Sequence, residues 1–438
     1  MDLKLKTLEK FANKFNTKSN LLLQNSVIKN GLKNTCINHK TLIKHDYVFD
    51  IETTIGEITM QSNSGRCWIF AALNVARLKA MKDLNVENFE FSENYLAFYD
   101  KLEKANTFLN FIIQNIDKPL NDRLVHTKIH SSVASDGGYW EWFVALLNKY
   151  GAVPKSIMPE TFHSGNTTNM NEILDWHLKN GASRLHQLYA QKATNQELLD
   201  EKEAILYEVY DIVSKCLGTP PTTFDYEYKD KNKKVVKIKN ITPLEFFEKY
   251  VGNDFGNKIN VLHDPRDLHP YGSIYLLKEQ NSVYNDGDVK MVNIPLQAMK
   301  DAIIASLKDG VPVWFGCDVD PFKDSPSGIL DPELYQYSEL FTPVNNLNKA
   351  DRIKFYNSNL NHAMAFVGVK FDEQNNTTFW KVENSWGDKY GKKGIFSMSD
   401  SWFDEYCFTA IVDAKYLDTK YQLDNPKVVE VELWDPLA

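Results

Sequence analysis

Cysteine is scarce in this 438-residue chain, which holds five: Cys36, Cys67, Cys216, Cys317 and Cys407. They lie far apart, and no CxxC pair occurs. That excludes a zinc knuckle, a thioredoxin-type dithiol and a disulfide scaffold, and it fits a reducing compartment. Positive charge is not in excess either: 50 Lys+Arg stand against 58 Asp+Glu, a formal charge of −8 with His neutral. A chain with this balance has no global reason to seek nucleic acid or an anionic membrane surface. No apolar run reaches the ~18 residues of a membrane span. The opening MDLKLKTLEKF alternates charged and apolar residues and lacks the apolar core of a signal peptide, so the cytoplasm is the expected location. No internal repeat is evident at a period of ~20–50 residues.

What is present is an ordinary globular balance: 43% hydrophobic, 13% aromatic and 25% charged residues. The length is near three times a ~150-residue domain, so one large domain with insertions, or two to three domains, is expected. Residues 1–30 read as a short amphipathic helix (Leu3, Leu5, Leu8, Phe11, Phe15) and a polar linker. Residues 67–84, CWIFAALNVARLKAMKDL, are apolar nearly all round, which marks a buried helix. Further helices are expected over 92–106, with Ser92 as N-cap, over 139–149, and as a pair within 170–217. FDYEYKDKNKKVVKIK (224–239) reads as a β-hairpin, and a helix is expected over 295–308. Strand-like runs rich in Val, Phe, Trp and Thr then dominate: 311–319, 362–371, 377–386 and 406–413. Helices early and strands late argue an α+β fold. The segments drawn are an arm at 1–50, a helical lobe at 51–168, a helical and hairpin insertion at 169–294, and a β-rich lobe with a C-terminal arm at 295–438.

Cys67 is the first candidate for chemistry. It opens the buried helix and follows a flexible polar loop, Gln61-Ser62-Asn63-Ser64-Gly65-Arg66. A free thiol has a pKa of ~8.5. A helix N-terminus puts unpaired N–H groups and the positive dipole end beside it, which favours the thiolate. A core cysteine does not need such a loop. Arg66 either raises the thiolate character or anchors the loop. A nucleophile needs a base, and the base an orienting group. His362 starts an apolar strand, and Asn384 ends the next one, within Glu383-Asn384-Ser385-Trp386-Gly387. Antiparallel pairing would bring the two together, and the neutral amide oxygen of Asn384 can fix the imidazole.

QSNSGRCWIF, NHAMAFVGV and VENSWG together resemble the papain-type cysteine peptidases, in which Gln, Cys, His and Asn occur in this order. SENYLAFYDKLEKAN, DGGYW, YGAVPKSIMPE, LGTPPTTFDYEY, PVWFGCDV and MSDSWFDEYCF resemble, more narrowly, the aminopeptidase C/bleomycin hydrolase branch. The match runs over nearly the whole chain. Cys67 and His362 are separated by roughly twice the ~130–150 residues of short papain-like enzymes, as the large insertions of this branch require. The resemblance implies a papain-like two-lobe fold, a helical lobe plus an antiparallel β-barrel-like lobe, with large helical insertions. It implies Cys67 as nucleophile, His362 as its proton partner, and Asn384 as the group orienting His362. Gln61 and the Cys67 N–H would serve as oxyanion donors, and Trp386 would shield the Asn384–His362 contact. Gly137 and Gly138 match the glycine pair along which substrate backbone runs. Peptide substrates, a homo-hexamer with active sites facing a central cavity, and no metal or organic cofactor are implied as well.

The tail departs from the branch, which ends roughly Trp-Asp-Pro-Met-Gly-Ala-Leu-Ala, its terminal carboxylate meeting the substrate ammonium in the cleft. Here the chain reads Trp434-Asp435-Pro436-Leu437-Ala438. With three residues fewer, at ~3.3 Å per extended residue, the Ala438 carboxylate falls back by roughly 10 Å. An opened cleft and internal cleavage are therefore expected, against strict aminopeptidase action as the alternative. A Cys-dependent acyltransferase or amidase, and a binding protein with a relic site, also stay open.

Other features read as structural. His126 and His130 stand at helical spacing but lack a third ligand, so a solvated pair is expected. The cluster 229–239 holds six lysines and one aspartate. Although this branch has been linked to DNA binding, the cluster reads as a solvated hairpin protecting a sheet edge. Gly387, Gly391 and Gly394 with Lys392 lack P-loop spacing and read as a tight hairpin.

Overall fold

The computed structural model describes residues 2–252, 258–341, 344, 346–421 and 427–438. The helix Cys67–Asp83 is the axis of the first lobe. Its faces are all occupied, with Trp68, Ile69, Phe70, Ala71, Ala72 and Leu73 buried in succession. Around it pack Glu93–Gln114, capped by the Ser92 side chain on Tyr95 N–H, and Trp140–Tyr150. The helices Thr168–Ala190 and Asn195–Leu217 lie against Glu93–Gln114. Thr194 and Glu197 form a reciprocal cap that starts the second of them. The hairpin forms as Phe224–Lys229 and Val235–Ile241.

One continuous sheet backs the second lobe. Its central strands run in the order Lys258–Leu262, Cys407–Asp413, Val313–Cys317, His362–Phe371, Thr377–Glu383, Ile395–Ser399. Pairing is antiparallel through this centre. Side-chain alternation gives the sheet two faces. Met364, Phe366, Val261 and Val292 enter one core with Trp380 and Phe403; Ala363, Leu262 and Met291 face the helical lobe. The α+β class and the two lobes follow the sequence reading.

Two segments differ from it. The polar linker within residues 1–30 is a second helix, Lys18–Asn30, capped by Thr17 but with no buried residue. Residues 258–293, grouped above with the helical insertion, supply three strands to the large sheet, at Lys258–Leu262, Ile274–Leu277 and Lys290–Asn293. Each is a run of only four or five residues, too short for periodicity to identify.

Candidate active site

Cys67 is the first residue of its helix, and the loop before it is held by hydrogen bonds of the Gln61, Ser64 and Arg66 side chains. Gln61 Nε2 donates to Ser64 O at 2.6 Å, and Ser64 Oγ donates back to Gln61 O at 2.7 Å. Arg66 is buried. Its guanidinium forks onto Glu160 at 3.2 and 2.6 Å and donates to Ser164 O at 2.6 Å. Arg66 therefore anchors the loop. The Gln61 amide carries two N–H donors, so one remains beyond the Ser64 contact.

His362 begins its strand directly beside this loop. Its Nε2 is 3.0 Å from Asn384 Oδ1. An amide oxygen only accepts, so Nε2 holds the hydrogen and Nδ1 is left as the base. Asn384 Oδ1 also accepts the Ser385 N–H at 2.8 Å, which fixes the amide. The Trp386 ring lies 4.8 Å from the imidazole, centroid to centroid, and covers it. Two backbone bonds join the Cys loop to the Asn loop: Gln61 N–H to Ser385 O at 2.8 Å and Gly387 N–H to Thr59 O at 3.0 Å.

Gln61, Cys67, Gly137, Gly138, His362 and Trp386 line one cleft of about 800 Å³ between the lobes. Gly137 faces open space there, whereas a Cβ on Gly138 would sit 2.5 Å from the Trp68 ring. Ala438 is not brought to this lining. It packs at the edge of the helical-lobe core, its N–H donating to Asp435 O at 2.9 Å, with Leu437 buried beside it. Arg266 grips Asp435 through two bonds of 3.0 Å and so sets the path of these last residues.

Electrostatically the pair is more buried than the sequence suggests. Burial pushes the Cys67 thiol up to about 11, opposed by backbone N–H groups of Ala363, Trp68 and Cys67. Burial pushes the His362 imidazole down to about 4, opposed by its bond to Asn384. Helix-end N–H groups alone thus do not make the thiolate here. Burial works against the charged form of each group.

A residue that the sequence reading passed over organises the site. Asp136 accepts Gly65 N–H at 2.9 Å, Lys101 Nζ at 2.6 Å, Thr167 Oγ1 at 2.5 Å and Asn171 Nδ2 at 2.9 Å. Its carbonyl accepts Trp68 Nε1 at 2.6 Å. Burial works to raise this carboxyl, but Lys101, Thr167 and the Gly65 N–H hold it well below the usual range. The acid stands immediately before the Gly137-Gly138 pair. That position was the available signal.

The remaining candidates stay apart from the cleft. The His126 and His130 rings stack on each other at 5.5 Å. Among the described residues no group of three or more His, Cys, Asp or Glu is placed to hold a metal ion. Lys237 pairs with Glu227 at 2.9 Å and Lys239 with Asp225 at 2.7 Å, so the hairpin lysines are partly neutralised in place. Gly387, Gly391 and Gly394 all have positive φ and turn the chain after Asn384. No described helix is long and apolar enough to cross a membrane.

Comparison with known proteins agrees with this geometry. The Peptidase C1-like family model matches residues 2–438. Aminopeptidase C of Listeria monocytogenes is 36% identical over 100% of this chain and 98% of its own length. Human bleomycin hydrolase is 37% identical over 95% of this chain and 94% of its own. The crystal structure of pepw from Lactobacillus rhamnosis superposes with a TM-score of 0.95 at 36% identity, covering 100% of this chain and 98% of that one. With a thiol, an imidazole and an amide in one inter-lobe cleft and full-length relatives of these kinds, the chain belongs to the papain-like cysteine peptidases of the aminopeptidase C and bleomycin hydrolase family.

Proposed function

We propose that this protein hydrolyses peptide bonds of oligopeptides through a covalent thioester on Cys67. The observation that carries this reading is the convergence of three groups. Cys67 and His362 line the same cleft, and His362 Nε2 is 3.0 Å from Asn384 Oδ1. In the first step the Cys67 proton passes to His362 Nδ1 as the sulfur attacks the peptide carbonyl carbon. The carbonyl oxygen takes up the electron pair and is met by the free Gln61 N–H and the Cys67 backbone N–H. Collapse of the tetrahedral species breaks the C–N bond, and His362 gives its proton to the leaving amine. Water, deprotonated by the same imidazole, then attacks the thioester and releases the acid and the thiol. Asn384 keeps Nδ1 turned to the sulfur, and Trp386 keeps water off the Nε2 contact.

The cleft supports a reading beyond exopeptidase action. Ala438 lies outside its lining, and the walls continue past Gly137 and Gly138 to Asn260 and Thr409. Peptide on the acyl side of the cut bond has room there, so internal cleavage is part of the proposal. The relatives named aminopeptidase favour strict removal of the first residue. A homo-hexamer is also proposed; exposed Leu5, Leu8, Phe11 and Phe15 on the first helix offer an apolar face for assembly, and sedimentation measures it. The deciding experiment is a cleavage map of free-amino and N-blocked forms of one peptide by wild type and Cys67→Ala. Cleavage of both forms by wild type and neither by Cys67→Ala is expected. Cleavage of the free-amino form alone returns the reading to an aminopeptidase, and cleavage by Cys67→Ala overturns the thiol mechanism.

A further inference from the structure

A peptide bond attacked at Cys67 has two arms. The acyl arm stays on the sulfur, and the amine arm departs past His362, whose proton it takes. Beside the imidazole the cleft wall carries Trp386, Asp320 and Lys323. Lys323 opens an edge of the large sheet, where Lys323–Asp324 pairs with Ile329–Leu330. Its carbonyl accepts the Tyr335 hydroxyl at 3.1 Å, which holds the backbone further. The residue before it, Phe322, has a φ of 50°. A bulky residue in the left-handed region is costly, and such strain collects where a side chain has to be aimed. Phe322 itself packs by Tyr337 and Tyr406, while Lys323 is presented to the cleft.

The Lys323 ammonium stands 4.8 Å from the centroid of the Trp386 ring, and that ring stands 4.8 Å from the His362 imidazole. Its charge reaches the base: burial comes first in lowering the imidazole, Lys323 adds to it, and Asn384 and Asp320 oppose it. The Lys323 side chain is 16% exposed, so its stem is largely enclosed. Among the described residues the ammonium bonds only to Asp320 Oδ1, at 3.1 Å. An ammonium has three donors, so two remain. Asp320 is a weak holder, because its side chain is 75% exposed and an ion pair open to water contributes little. The other acid nearby, Asp318, is buried and engaged by Ser358 Oγ and Asn361 Nδ2, both at 2.7 Å. The wall therefore offers one aimed cation, with donors to spare, to the group that leaves past His362.

We propose that Lys323 binds a carboxylate on the substrate residue immediately after the cut bond and so gives the enzyme a preference for acidic leaving groups. The leaving nitrogen is two bonds from that residue's own α-carboxyl carbon and four from the carboxyl carbon of a glutamate side chain. Either source presents the same anion: a side chain within a longer peptide, or the chain end when a single residue is released. This specificity rests on the peptidase reading above.

The test is the ratio of kcat/KM for pairs of peptides that differ only in the leaving residue. One pair carries glutamate or glutamine there and ends in an amide. The other ends at that residue, as glutamine free acid or glutamine amide. Wild type is expected to favour the carboxylate form of at least one pair by about fivefold, the upper range for an ion pair that water reaches. A preference in the first pair assigns the side chain, and one in the second the chain end. Lys323→Met keeps the stem and is expected to bring the ratio to unity, and Lys323→Glu to invert it. Asp320→Asn removes the rival anion and is expected to raise it. A purely structural role for Lys323 would slow both members of a pair alike and leave the Lys323→Met ratio at its wild-type value, which overturns the proposal. A wild-type ratio near unity in both pairs overturns it whether or not the variants fold, and the peptidase reading then stands. If no peptide is cut, both fall.

Discussion

Gln61 is the residue at which geometry and rate are most directly linked. In the proposed mechanism its second N–H meets the developing oxyanion, and one such donor is worth ~10²–10³ in kcat. Gln61→Ala is expected to lose that factor in kcat with KM little changed, read from steady-state kinetics. Asp136 is a different case. It pairs with the buried Lys101 at 2.6 Å, both side chains being almost fully enclosed. Removing one partner of such a pair costs ~3–5 kcal/mol. Asp136→Asn is therefore expected to lower the denaturation midpoint by that equivalent, and to release Gly65 and with it the Cys67 loop. Cys67, His362, Asn384 and Gln61 stood out in the sequence as candidates because nucleophilic chemistry admits few residue types and the motifs around them are distinctive; the structure sets Cys67, His362 and Gln61 on one cleft and joins His362 to Asn384. Asp136 was not legible, because Lys101 reaches it from one helix and Thr167 and Asn171 from the start of another, far apart in the chain. Nor was the balance at the sulfur legible: the dipole argument is local, while the burial that outweighs it depends on how the folded chain packs around the site.

At the scale of elements, the helix Cys67–Asp83 could be read outright because it is apolar on every face. Its register against the Gly137-Gly138 turn was beyond reach. Gly138 lies so close to Trp68 that a methyl group there would stand 2.5 Å from the ring. Overpacking of this kind costs ~1–3 kcal/mol. Gly138→Ala is expected to lower thermal stability by that amount and to raise KM, since Trp68 and Gly137 both line the cleft. Gly137→Ala, with no atom within 4 Å of its Cβ, serves as the control for stability. The short strands between 258 and 293 escaped the reading for a related reason. Runs of four or five residues earn their identity from neighbours in the sheet, and those neighbours come from residues 407–413 and 428–431.

For the whole molecule, pH acts through buried groups of opposite sign. His263 is held down to about 4 by burial, then by Lys349, against an ordinary value of 6.5, and His362 is depressed likewise. Between those values the unfolded chain binds protons that the native one refuses. Stability from these histidines is thus lost as pH falls from 6.5 to about 4. Glu93 and Glu141 run the other way. Burial raises each from 4.5 to about 7, so their contribution is full at low pH and is lost as pH rises through 7. His263→Gln isolates the first slope. Between pH 6.5 and 4 its unfolding free energy is expected to fall by up to about 3 kcal/mol less than that of wild type, read from denaturant titrations at each pH. One further property follows from the two backbone bonds that join Thr59 and Gln61 to Ser385 and Gly387. They make the proposed oxyanion donor, Gln61, and the anchor of the imidazole, Asn384, parts of a single ladder, although one belongs to each lobe. Breathing of the lobes then shifts both together, as a common-mode displacement, and leaves the gap between them unchanged. Heating would leave turnover properly tuned up to the temperature at which that ladder parts, and then extinguish it in one step.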